Sequence, residues 1–412
     1  MHSEGIVHRP EWLEKLVASE QSPSSTSFLN KNQNIMITII GGGIGGLTTA
    51  LALERIGLDY QVFERAPALK SVGAGIWLAP NALQVLDWLG LLKEVQAAGN
   101  TINRILLGQP NMSPLSGSNQ QAAIDRFGFS TVAIHRATLL KVLYRNLPEN
   151  KVHLDKAFDG FTELENDKIE VHFKDKSAVL TDALLGVDGI NSTVRQQLFP
   201  NSSIRYSGQT CWRGVADFEL LEGQRDLGVE LWGKGARFGW SRIAPDKTYW
   251  FAVKSSPENG ADKAGELPEK LLQEYKGFTP LISEIIAATP PGQIIRGDIN
   301  DLKPMPAWHQ GNICLLGDAG HATTPNMGQG GAQAIEDAYF LAKILAEETV
   351  GPEAFAKLYQ QRKKKVNMIV SQSRQTGSMA HWKYGRSLRN SLMKALPSTF
   401  LERKMMEVYQ LE

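Results

Sequence analysis

The stretch from Ile35 to Glu64 restricts the fold more than any other part of the chain. Ile35–Ile40 (IMITII) is a continuous apolar run of the kind shown by a parallel strand buried on both faces. It enters Gly41-Gly42-Gly43-Ile44-Gly45-Gly46, which has the spacing G-x-G-x-x-G, and Leu47–Ile56 continues as a helix. Tyr60–Glu64 (YQVFE) reads as a second strand, ending in an acid about 20 residues beyond the turn. A glycine triplet alone is weak. Strand, turn, helix, strand and acid in this order predict a βαβ unit that binds a dinucleotide. Gly41, Gly43 and Gly46 then allow the tight turn and close approach of a pyrophosphate, while Ile44 and Gly45 carry the turn into the helix. Glu64 is placed to accept hydrogen bonds from ribose hydroxyls, and Arg65 to flank the adenine.

The 412 residues suffice for a large core and two domains. With 44 Lys+Arg against 43 Asp+Glu there is no charge excess to attract a polyanion, so no nucleic acid partner is expected. Cys211 and Cys314 are the only cysteines and lie far apart, which argues against a zinc site, and no metal is expected. No apolar run approaches the roughly 18 residues of a bilayer span, and no stable membrane association is expected. The sequons at Asn111, Asn191 and Asn201 come without a secretory signal and read as chance matches. A cytoplasmic protein is the expectation. Residues 1–35 are polar, carry the run SPSSTS and read as a peripheral extension ahead of the first strand.

A second strand-loop-helix lies near the other end. Ile313–Leu316 runs into Gly317-Asp318, and Pro325, Gly328, Gly330 and Gly331 precede the helical pattern Ala332–Glu347. Glycines ahead of a helix leave backbone N–H groups open to a ligand, although turn glycines alone would explain them. Between the two units, Gly75 lies in Val72–Ile76, which is either a simple loop or backbone laid against a flat ring. Arg136, after Ile134-His135, either binds phosphate or ribose or caps a surface; His135 reads as surface or packed. Asp188-Gly189 closes another apolar strand, with Arg195 seven residues on.

From Tyr206 the texture changes to aromatic-rich antiparallel strands containing Trp212, Trp232, Trp240 and Trp250. This sheet is either a packed layer or the wall of a pocket for a flat organic molecule. Arg213, Arg237 and Tyr249 are its polar candidates. Arg362-Lys363-Lys364-Lys365 reads as a solvated face, and residues 376–412 as a basic helical tail for packing or oligomer contact.

The glycine turn at 41–46, Asp188-Gly189 with Arg195, and Gly317-Asp318 before Pro325 and Gly328-Gln329-Gly330-Gly331 stand in a fixed order. Together they resemble the single-component FAD-dependent aromatic hydroxylases, over about residues 36–375. The segments VGAGIWLAPNA, IHRATLL, LLGVDGINSTVR and LLGDAGHATTPNMGQGGAQAIEDA look closest to the branch with urate hydroxylase, zeaxanthin epoxidase and salicylate hydroxylase.

The resemblance implies an α/β fold. A Rossmann-like FAD-binding domain of the 4-hydroxybenzoate hydroxylase type would occupy 36–205 and 296–375. An inserted antiparallel substrate-binding sheet would occupy 206–295, with residues 1–35 peripheral and 376–412 a C-terminal helical tail. It also implies roles. Gly41, Gly43 and Gly46, with Glu64 and Arg65, would hold the ADP half of FAD, and Arg136 its middle. Asp318 would bind the ribityl hydroxyls, and Pro325 and Gly328–Ala332 would line the isoalloxazine. Asp188 would support FAD and a visiting NADPH or NADH. The implied reaction is insertion of one oxygen atom from O2, through a flavin C4a-hydroperoxide, into a small flat aromatic or N-heterocyclic substrate. An arginine and a tyrosine of the sheet would engage that substrate: Tyr249 with Arg237, or with its rival Arg213. The protein would act as monomer or homodimer. The competing expectations are a flavin oxidase or dehydrogenase on the same fold, and a non-enzymatic binding protein.

Overall fold

The computed structural model describes residues 35–68, 74–263, 265–290, 292–395 and 397–411. The expected N-terminal extension before residue 35 and the pair Val72-Gly73 lie outside the described residues.

The apolar runs assemble first. A six-stranded sheet has the order His309–Gln310, Ile313–Leu315, Ala183–Gly186, Met36–Ile40, Asp59–Phe63, Val152–His153. Every neighbouring pair is parallel except that of the His309–Gln310 edge. Its inner strands are covered on both faces, which is why they read as uninterrupted apolar runs rather than alternating ones. Ile40 pairs with both Phe63 and Gly186, and Gly186 with Leu315. Four strands therefore end level, and the glycine turn, Glu64, Asp188 and Gly317 emerge together at their carboxyl ends. That edge is where open parallel sheets bind ligands.

The helices Ile44–Arg55 and Gly330–Glu347 lie against each other over this sheet, and small residues set their approach. A Cβ on Gly45 would stand 3.1 Å from the Ala334 Cβ, and one on Gly317 2.8 Å from the same atom.

The second layer is a seven-stranded sheet ordered Ile295–Leu302, Ile204–Asp217, Lys247–Ser255, Ala236–Ala244, Leu227–Trp232, Arg104–Gly108, Pro114–Ser118. Its last two strands, and a small sheet of Gly75–Leu78, Thr131–His135 and Asn100–Ile102, were not legible beforehand. Pro114–Ser118 (PLSGS) is rich in turn formers and becomes a strand only through pairing with Arg104–Gly108.

Strand alternation decides the aromatic question. Trp212, Trp240 and Trp250 point with Phe238 toward the helices Leu267–Tyr275 and Pro280–Ala287 and form a packed core. Tyr249, Phe251 and Arg213 take the opposite face, toward the parallel sheet domain.

The chain ends in helices: Pro352–Ala380, Arg386–Ala395 and Ser398–Tyr409. The last returns to the domain, where the Gln84 amide donates to the Tyr409 carbonyl (2.8 Å). The architecture is α/β, with an antiparallel sheet inserted into a Rossmann-like domain and a helical C-terminus. Among the described residues no helix is long and apolar enough to cross a membrane.

Candidate functional site

The first part of the site is a turn held by sterics. A Cβ on Gly46 would lie 1.8 Å from the Gly41 carbonyl oxygen, and Gly41 itself has φ +112° with no room beside Val187. Gly43 differs: a Cβ there would meet nothing within 4 Å, so its outer side is open. Glu64 fixes the turn from the next strand. Gly42 N–H donates to its Oε2 (2.7 Å) and Ala66 N–H to its Oε1 (2.9 Å), leaving second lone pairs for a diol. Arg65 is exposed at the rim.

Asp188 and Asp318 sit at the ends of neighbouring strands. Asp188 Oδ2 accepts the N–H groups of Thr193 (2.8 Å) and Val194 (3.3 Å), whereas its buried Oδ1 has no partner. Burial pushes this carboxyl up, with Ser192, Val194 and Thr193 opposing. Arg195 does not pair with it. Its guanidinium is buried and donates to the Ile190 (2.6 Å) and Ala319 (3.1 Å) carbonyls, binding two loops together.

Asp318 is ringed by protein closely enough for desolvation to raise its carboxyl, against the pull of His321 and Arg136, yet its surface is open. It stands close to the start of the next helix, 3.9 Å from where a Cβ on Gly330 would lie. Arg136 begins the helix Arg136–Arg145 and its N–H donates to the Ala74 carbonyl (3.1 Å). The side chain itself is exposed toward Asp318. His135 is spent structurally, its Nδ1 accepting the Ala137 N–H (3.2 Å) to cap that helix.

The loop after Asp318 runs through Pro325 to Gly328, which adopts φ +63°, and enters the helix Gly330–Glu347. Gly330 and Gly331 are partly open, and the first N–H groups of a helix have no intrahelical acceptor. Ala332 is buried behind them.

Behind this loop lies a cluster of buried charges that the sequence reading misassigned. Asp337 accepts the Gly317 N–H (2.9 Å) and the Arg362 Nε–H (3.0 Å), and stands 2.6 Å from His321 Nε2. Arg362 also meets Glu336 (2.5 Å), which takes Lys365 at 3.0 Å and the Asn81 amide at 2.5 Å. Arg362 and Lys365 are thus buried rather than solvated. Residues three apart share a helix face, and here that face meets two acids projecting from another helix. Burial alone would raise the Asp337 carboxyl, but His321, Arg362 and Gly317 hold it down at about 2.

The inserted sheet supplies the remaining candidates. Arg213 pairs with Phe251 and Tyr249 with Val215, so Arg213 and Tyr249 are diagonal neighbours on one face. They interact electrostatically, and burial pushes the Tyr249 hydroxyl up while Arg213 opposes it. Gly75 meets the same tyrosine: a Cβ there would come within 2.4 Å of the ring. Gly331 abuts Ile76, at 2.9 Å from such a Cβ. The helix N-terminus, the Gly75-Ile76 backbone and Tyr249 therefore converge.

Arg237 lies elsewhere on this face, four residues along the strand from Ser241, the pairing partner of Tyr249, or about 13 Å. It is buried against Glu230 (3.0 Å) and donates to Asn326 of the Pro325–Gly328 loop. Asn326 in turn donates to Thr324 (2.9 Å) and to the Ser373 carbonyl (2.7 Å). Sequence reading passed over Asn81, Asn326, Glu336 and Asp337. The available signal was Glu336-Asp337 inside an otherwise apolar helix.

These features suit a bound dinucleotide with a polyol and a flat ring: an open glycine, an unpartnered Asp188 oxygen, and an unpaired Asp318 beside a helix N-terminus. Comparison with known proteins points the same way. The FAD binding domain family matches residues 34–374. The chain is 40% identical over 367 residues to the aurachin C monooxygenase/isomerase of Stigmatella aurantiaca, covering 88% of this chain and 95% of that protein. It is 31% identical over 376 residues to the 2-heptyl-3-hydroxy-4(1H)-quinolone synthase of Pseudomonas aeruginosa, covering 88% and 94%. Klebsiella pneumoniae HpxO, solved with FAD and uric acid, superimposes with a TM-score of 0.85 at 26% identity, covering 92% of this chain and 97% of that one.

Proposed function

The chain belongs to the FAD binding domain family and is an FAD-dependent monooxygenase; from that premise we propose that it uses NADPH or NADH and O2 to insert one oxygen atom into a flat aromatic N-heterocycle. The observation that supports this reading is the convergence of the Gly330-Gly331 helix start, the Gly75-Ile76 backbone and Tyr249, which brings glycine backbone and the inserted sheet together where a flavin ring and a flat substrate would meet. The quinolone named for one relative and the uric acid of one structural neighbour are both flat N-heterocycles.

When bound, FAD supplies hydride acceptance and O2 activation; the route of oxygen transfer is the one the family resemblance implies. The protein's own residues bind and orient. Gly41, Gly43, Ile44, Gly45 and Gly46 present backbone to the pyrophosphate, Glu64 takes the ribose and Arg65 flanks the adenine. Arg136 and Asp188 hold the middle of the cofactor, and Asp318 accepts ribityl hydroxyls. Pro325, Gly328, Gly330, Gly331 and Ala332, with Gly75, would line the ring. Arg213 and Tyr249 engage the substrate, and Arg237 fixes the Asn326 loop. The division into 36–205 with 296–375 as cofactor domain and 206–295 as substrate domain is part of the proposal, as is a cytoplasmic monomer or homodimer.

The test is turnover under 18O2 with NADPH or NADH and 4-quinolones or uric acid as candidates. The expected product carries one labelled oxygen, and Arg213→Ala lowers substrate-stimulated nicotinamide oxidation. Nicotinamide oxidation that yields only hydrogen peroxide across flat heterocycles would overturn the substrate reading in favour of an oxidase.

A further inference from the structure

The C-terminal tail has two faces with different partners. In the helix Arg386–Ala395, Arg389 and Met393 are buried: Arg389 donates to the Ala380 carbonyl (2.9 Å) and stacks on Trp232, 5.3 Å from its centroid. Beside this buried edge runs an apolar edge that is open. Leu388 and Leu392, one turn apart, are 63% and 58% exposed, and Trp382 and Tyr384 in the bend that leads into the helix are 42% and 87% exposed. Large apolar side chains gathered this way at a surface mark an interaction site. Lys383, Arg386 and Lys394 surround them, all exposed, and residues 382–395 contain no acid. The whole chain is nearly neutral, at +1, so this basic rim is a local property.

We propose that this face docks peripherally on an anionic phospholipid surface, with Trp382, Tyr384, Leu388 and Leu392 entering the interface and Lys383, Arg386 and Lys394 meeting headgroups. Tryptophan and tyrosine suit the boundary between hydrocarbon and water, and a leucine stripe with a basic rim is the pattern of helices lying in that plane. A second copy of the chain fits less well. A two-fold contact would bring two patches of the same positive charge together. The patch adjoins the inserted sheet: His381, just before it, lies 3.1 Å from Ser255, and Trp232 donates to Glu230, the partner of Arg237. Delivery of a membrane-partitioned substrate from this side rests on the function proposed above; the docking itself does not.

The test is flotation of the FAD-loaded full chain with vesicles of phosphatidylcholine alone or mixed with phosphatidylglycerol. The chain is expected to float with the anionic vesicles and to be released by salt. L388E/L392E weakens binding roughly tenfold or more, since two apolar anchors are lost. K383E/R386E, changed only at exposed positions, removes the preference for anionic lipid. Both variants keep the flavin spectrum of the parent, which separates failure of docking from failure of the cofactor reading. No flotation of the parent chain overturns the proposal, as does equal flotation of L388E/L392E. A concentration-dependent dimer that L388E/L392E dissolves, seen by analytical ultracentrifugation, overturns it in favour of a second copy.

Discussion

Asp318 and Asp337 bracket the same turn, one open to the surface and the other fully buried, and they are treated in opposite ways. Asp337 has every oxygen engaged, by Gly317, Arg362 and His321, and its carboxyl is held down at about 2. Asp318 stays open, and desolvation raises its carboxyl. The difference separates a residue that holds the turn from one left open, to which the proposed function gives the ribityl hydroxyls.

The largest effect expected from breaking this contrast is in stability. Asp337→Ala strands the buried Arg362 beside a single acid, and the loss of one partner from such a cluster costs about 3–5 kcal/mol. Denaturant unfolding of the FAD-free protein measures it. Asp318→Ala is expected to leave that stability unchanged or raised. It weakens FAD instead, by about 1.5–3 kcal/mol for the hydrogen bonds of a charged acceptor, or roughly tenfold to a hundredfold in Kd. Equal destabilisation by the two substitutions would erase the distinction.

Acid provides the smallest and subtlest test. The Asp337 pKa is depressed from its ordinary 3.8 to about 2. Its contribution is therefore present above pH 4 and withdrawn as pH falls through about 2, on the order of 2 kcal/mol. Asp318 works in the other sense: its folded pKa is raised, so protonation as pH falls toward 3.8 stabilises the FAD-free fold. Stability of the Asp318→Ala protein should thus lack the gain on mild acidification but keep the loss in strong acid.

The glycine turn and Asp318 were legible because their signals are local. Only a residue without Cβ fits where Gly46 meets the Gly41 carbonyl, and a strand ending in Gly-Asp announces itself in a few letters. The network behind the turn was not legible, because a basic run on one helix and two acids on another take their meaning from a contact between residues 25 or more apart. Aromatic strands carried a similar ambiguity. Trp250 and Tyr249 are adjacent in sequence, and only the pairing register sends one into the core and the other toward the parallel sheet domain. Arg237, expected from the resemblance to engage the substrate with Tyr249, is held by Glu230 and Asn326, contacts that join residues far apart in the sequence.

The most direct measurement is the visible spectrum of the purified full chain supplied with FAD, followed by anaerobic addition of NADPH or NADH. Equimolar bound flavin that bleaches with one of them, faster when a flat N-heterocycle is present, is the predicted result. A chain that takes up no flavin would contradict the reading of Asp318 as a residue held in reserve for the cofactor, and with it the proposed function.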